Sequence, residues 1–182
     1  MDIMALQRAL RVADWSAAER IMQTAARRTD AQPSILYNYG KVLFELGRAA
    51  DAVQCLTRAV NALPSHGNAW FELGRAAIAA QDLRLAQDAF TRALELCPTD
   101  RDARRNLGRV ALRRGAHALA REVWQGLAGD EEADLALYRC AAELGAPDAA
   151  MRRAALLASH PNRAAVIRTL VRVSKGAVPL SL

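Results

Sequence analysis

The residues best suited to chemistry are few and scattered. The chain holds three histidines, His66, His117 and His160, and three cysteines, Cys55, Cys97 and Cys140. No two of these six stand at the short spacings that bind zinc, and the odd, widely separated cysteines suit a reducing cytosol better than a disulfide framework. The three histidines read as scattered surface or helix-end residues. Ser159 and His160 are neighbours in sequence, whereas a nucleophile and its base must converge in space. Phosphate loops, dinucleotide fingerprints, H-E-x-x-H and G-x-S-x-G are all missing from the sequence. The expectation is a protein that is not an enzyme and carries neither cofactor nor metal.

The elements that must position any binding residue come from a repeat. Trp70, Leu73, Gly74, Ala86, Phe90, Ala93 and Pro98 recur 34 residues upstream as Leu36, Tyr39, Gly40, Ala52, Leu56, Ala59 and Pro64. Pro64 thus keeps the place of Pro98, with Tyr39 in that of Leu73. The same places 34 residues downstream hold Arg104, Leu107, Gly108, Ala120, Trp124 and Leu127. Apolar residues fall at helical spacing in each unit, as in Leu85, Ala86, Ala89, Phe90, Ala93 and Leu94. Gly74 and Ala86 are small where two helices must cross closely. Gly47, Gly115 and Gly145 stand where a first helix should stop, and Pro64 and Pro98 where a second should.

This pattern resembles the tetratricopeptide repeat (TPR), W-x2-L-G-x2-Y…A-x3-F…A…P, with Ala77 replacing the Tyr of the central unit. The resemblance implies an all-α TPR helical-hairpin solenoid, a right-handed superhelix of about 11 helices. The spans expected are 2–12, 15–28, 33–46, 49–62, 67–80, 83–96, 101–114, 117–128, 131–144, 147–158 and 162–174. The organisation expected is an atypical pair over 1–32, three TPR units over 33–130 (33–66, 67–100 and 101–130), a degenerate pair over 131–161, and a basic amphipathic capping helix with its tail over 162–182. Ala13–Ala18 and Gly145–Ala150 resemble the family's inter-helix turn in the two end pairs. Trp15, Trp70 and Trp124 fill large-residue places and are expected in the core.

In the family the first (A) helices line a concave groove, through the second, fifth, sixth, ninth, twelfth and thirteenth places of each unit. Carried onto this sequence, the ninth place holds Lys41, Arg75 and Arg109, and Arg139 takes it in the last pair. A ladder of cations is expected along the inner wall, with Arg105 beside it and Tyr37, Asn38, Phe71 and Asn106 as polar and aromatic neighbours. Such a groove suits a partner peptide of acidic character. The clamp with which TPR co-chaperones hold heat-shock-protein tails is not supported, because its places hold Tyr37, Lys41, Glu72, Asp102 and Asn106.

Composition agrees with a folded interaction module. Hydrophobic residues make up 52% and charged residues 24% of the 182, enough to fill a core. The net charge of +6 sits at one end: Arg152, Arg153, Arg163, Arg168, Arg172 and Lys175 follow the last acid, Asp148. The other 19 basic residues balance 19 acidic ones, so neither nucleic acid nor a membrane is the expected partner. Val166, Ile167, Leu170 and Val171 are expected on one buried face of the last helix. Ala177–Leu182 is expected to pack, or to mark where a longer chain was cut. No secretory leader is read at the N-terminus, and a cytoplasmic location is expected. The alternatives are the TPR domain of a larger enzyme, such as a bacterial glycosyltransferase or sulfotransferase, and a nucleic-acid or membrane-surface role for the basic end.

Overall fold

The computed structural model describes residues 2–127 and 129–174. Among them the regular elements are all helices: α1 (Ile3–Arg11), α2 (Trp15–Arg27), α3 (Pro33–Glu45), α4 (Ala49–Ala62), α5 (Gly67–Ala79), α6 (Leu83–Leu96), α7 (Arg101–Arg113), α8 (His117–Gln125), α9 (Glu131–Glu143), α10 (Ala149–Ser159) and α11 (Arg163–Val173). Lys175, of the expected basic end, and Ala177–Leu182, expected to pack or to mark a cut, lie outside the described residues. The chain forms two compact units, Met1–Ala103 and Arg104–Leu182.

In the first unit, hairpins form because a glycine of each A helix meets a large side chain of the following B helix. A Cβ on Gly40 would fall 2.6 Å from the Leu56 side chain, and one on Gly74 would fall 2.7 Å from the Phe90 ring. Leu56 and Phe90 are fully buried as a result. Each next A helix then packs on the preceding B helix, α3 on α2 and α5 on α4, and the apolar faces become one core.

The turns inside the hairpins share a left-handed residue. Gly47 has φ 75°, a conformation that suits the missing Cβ. The same turn is made by Ala13 at φ 55° and Gln81 at φ 63°, which glycine counting does not find. Asp14 and Asp82 follow them, and each carboxylate accepts the N–H three residues on, at 2.9 Å, to start the B helix.

The second unit begins on the same plan and then departs from it. A Cβ on Gly108 would fall 2.5 Å from the buried Trp124 indole. In α9 the equivalent place holds Tyr138, a large residue where the earlier A helices carry glycine. The helices α9 and α10 pack less extensively than α3 and α4, and α11 joins them. Tyr138, Leu156, Val166 and Leu170 form a small core of their own, and α11 contacts α9 more than α10. Only half of the apolar stripe expected on α11 is buried: Val166 and Leu170 are, while Ile167 and Val171 are about half exposed. The stripe was read as one face, but α11 meets its neighbours along a single ridge.

His160 is not a surface residue. It is 7% exposed, its Nδ1 accepts the Asn162 N–H at 3.1 Å, and its Nε2 lies 3.1 Å from the Glu131 carbonyl oxygen. That pairing puts the proton on Nε2 and makes the imidazole a bridge from the α10–α11 connection to the start of α9.

Two substitutions test this packing by urea unfolding. Ala13→Gly should stabilise the protein by about 1 kcal/mol, because the turn keeps its left-handed residue without the Cβ strain. Leu170→Ala should cost about 2 kcal/mol by opening the small core around Tyr138.

Candidate functional site

The A helices carry the candidate residues, and each unit gathers its own set. In the first unit Asn38 and Lys41 of α3 and Arg75 of α5 line one depression of about 390 Å³. Glu45 and Glu72 line it too, and Leu10, Trp15 and Val42 give it an apolar floor. Trp15 is therefore a wall residue, half-buried, and Trp70 is half-buried with its Nε1–H donated to the Pro64 carbonyl at 2.9 Å. Tyr37 lies beside this set: its ring centroid is 4.8 Å from that of His66, and the Lys41 ammonium stands 5.3 Å above it. Phe71 turns edge-on to Phe90, with centroids 5.7 Å apart, and serves the α5–α6 packing.

The cations are not bare. Arg75 lies 4.7 Å over the Phe44 ring and bonds the Glu72 carboxylate at 2.9 Å. In the second unit Arg105 bonds Asp130 at 2.9 Å, and Arg109 holds both oxygens of Glu132, at 2.7 and 2.6 Å. The carboxylates that hold Arg105 and Arg109, Asp130 and Glu132, are not evident from the sequence. They stand at the start of α9, 25 and 23 residues from their arginines, and helical spacing inside one element does not reveal them. Asn106 is half-buried. Arg139 lines a second depression of about 230 Å³, formed within the second unit.

Electrostatics separate structural from reactive groups. Burial pushes the Cys55 and Cys140 thiols up to about 11, so both are protonated and inert at neutral pH. Cys55 donates its S–H to the Leu36 carbonyl at 3.2 Å. Burial likewise raises the phenols of Tyr39 and Tyr138. The hydrogen bond from Arg105 holds the Asp130 carboxyl below the usual carboxylate range, helped by the Glu132 N–H that it accepts. Among the described residues no three His, Cys, Asp or Glu side chains form a metal-sized group, and no helix is long and apolar enough to cross a membrane.

Each unit is built from antiparallel helical hairpins. The family model described as "Tetratricopeptide repeat" matches residues 3–67, 40–100 and 71–148, and the chain belongs to that family. No curated protein matches the sequence. Among solved structures, the crystal structure of MamA aligns over 99% of this chain and 93% of its own, with a TM-score of 0.73 and 20% identity. YrrB, described as a TPR protein with an unusual peptide-binding site, aligns over 85% and 82%, at 0.66 and 19%. The first TPR of Spaghetti (RPAP3), bound to the HSP90 peptide SRMEEVD, aligns over 60% and 87%, at 0.57 and 22%. At these identities the likenesses speak for the fold.

The Arg105–Asp130 pair gives a pH prediction. The folded carboxyl titrates below its unfolded value, so its stabilisation is present above pH about 4 and lost as pH falls through the folded value. Asp130→Asn should therefore lower stability at pH 7, and the gap from the parent should close towards pH 3 in denaturant titrations.

Proposed function

We propose that this chain is a non-enzymatic protein-interaction module that holds an extended partner segment on the exposed face of its A helices. The observation that carries this reading is the depression of the first unit, where Asn38, Lys41 and Arg75 meet over Leu10, Trp15 and Val42. Apolar walls with a few convergent polar groups are the usual make-up of a recognition site. Two structural neighbours point the same way: one is bound to a peptide, and the other is described as having a peptide-binding site.

The charge pattern refines the expected ligand. Glu45 and Glu72 match Lys41 and Arg75 one for one within the depression. A run of acids would have to displace Glu72 from Arg75, whereas Lys41 has no carboxylate partner among the described residues. The segment that fits best places one acidic residue on Lys41 and an apolar residue against Trp15 and Val42. Asn38, exposed, offers its amide for the segment backbone, although its N–H2 already reaches the Ser34 carbonyl at 2.9 Å.

Selection of a displayed peptide library on the whole chain supplies the probe. Lys41→Glu with Arg75→Glu should weaken the selected peptide at least tenfold, less so at high salt, since reversal adds repulsion to lost attraction. Helical content should not change, because both side chains lie outside the core. Undiminished binding by the double variant would remove the site.

A further inference from the structure

The second depression has a character that the ladder of A-helix cations does not explain. Its walls come from α7, α8 and α9 and are completed by α11. Tyr138, in the place where the earlier A helices carry glycine, packs with Leu156 of α10 and with Val166 and Leu170 of α11, and α11 contacts α9 more than α10. That seating carries Thr169 and Arg172 to the rim of a space already lined by Leu112 and Arg139.

Two arginines therefore face one small cavity, and neither is neutralised. Arg139 and Arg172 have no carboxylate partner among the described residues, unlike Arg75, Arg105 and Arg109. Glu132 also lines the cavity, but both of its oxygens are held by Arg109. The Nε–H of Arg139 is buried with no acceptor among the described residues, and its Nη2 reaches the Leu112 carbonyl only at 3.5 Å. The indole Nε1–H of Trp124, another lining residue, is buried and unpaired in the same sense. A buried donor without an acceptor is unfavourable, so a group that supplies acceptors is favoured there. The Thr169 hydroxyl donates to the Ala165 carbonyl at 2.9 Å, and neither of these unpaired N–H groups is hydrogen-bonded to its oxygen.

The remaining lining is apolar: Leu112, Leu135 and Ala136. The volume, about 230 Å³, is below the ~300–1,000 Å³ of sites that enclose a whole drug-sized molecule. We propose that this cavity binds a carboxylate joined to a small branched apolar group, the two guanidinium groups taking the oxygens and the leucines and Ala136 taking the hydrocarbon. Guanidinium forks match the planar carboxylate better than a point charge does. The chemistry has two sources, the last residue of a peptide that ends in leucine, or a free short-chain acid. The site deepens the proposed role of the A-helix face, to which Arg139 belongs, but it needs no partner protein to be examined.

The test uses the whole chain and four probes: 4-methylpentanoate and its amide, and a Gly-Gly-Gly-Gly-Leu peptide as free acid and as amide. Binding is followed by the NMR signals of the Trp124 indole N–H and the Arg139 Nε–H. Both acids, or one of them, should shift these signals saturably, and the amides should not. The tighter acid then names the source. Arg172→Gln should weaken the acid about fivefold, as expected for a solvent-exposed charge, and Arg139→Gln should abolish it. Arg168→Gln, an exposed arginine of α11 outside the cavity, should change nothing. Equal shifts with acid and amide, no shift with either acid, or an unaltered titration in Arg172→Gln would overturn the proposal. Any of these would leave the first-unit site untouched, because that site is read from Lys41 and Arg75 with a different ligand.

Discussion

The constraint on which the structure depends is the close approach of two helices at a glycine. At Gly40, Gly74 and Gly108 the backbone of an A helix comes so near to Leu56, Phe90 and Trp124 that even a methyl group would collide. This contact sets the separation within each hairpin. The B helix can then present a flat apolar surface to the next A helix, and the opposite face of the A helix is left for polar residues. Without the glycine the large side chain would have no socket, and the A-helix face would lose its spacing.

The last hairpin shows what happens when the constraint is lifted. Tyr138 stands in the glycine's place, and the space between α9 and α10 is shared with α11. Other interactions then hold the end of the unit together. His160 ties the α10–α11 connection to Glu131, and Asp148 is gripped by Arg121 at 2.9 Å and Arg152 at 2.7 Å. These arginines hold its carboxyl below the usual range, Arg152 foremost. Charged residues that composition reads as a basic end are in part structural fasteners. Ile167 and Val171 remain open because one helix cannot bury both sides of its stripe.

Much of the fold was legible because its signals are local or strictly periodic. Helix ends followed from Pro33, Gly47, Gly115 and Gly145, and the repeat of 34 residues placed the hairpins. The shortfalls have physical causes. The expected α8 ran to residue 128, but the helix ends at Gln125, and Gly126 follows where the Arg104 side chain packs closely. Ala13 and Gln81 adopt a glycine-like turn that propensity alone does not predict. The candidate face was legible as a set of helix positions, which gathers Asn38, Lys41 and Arg75 in one depression. What those cations touch was not, since Arg105 and Arg109 find carboxylates on another helix. That Arg172 lines a cavity with Arg139 was not legible either, because it follows from how α11 packs against α9.

On the proposed function, the A helices rather than the B helices form the working surface. A selected peptide carrying a nitroxide label at its centre tests this directly through paramagnetic broadening of backbone amide signals. The strongest broadening is expected in α3 and α5 around Asn38, Lys41 and Arg75, with α4 and α6 little affected. Strongest broadening in α4 and α6 would contradict it.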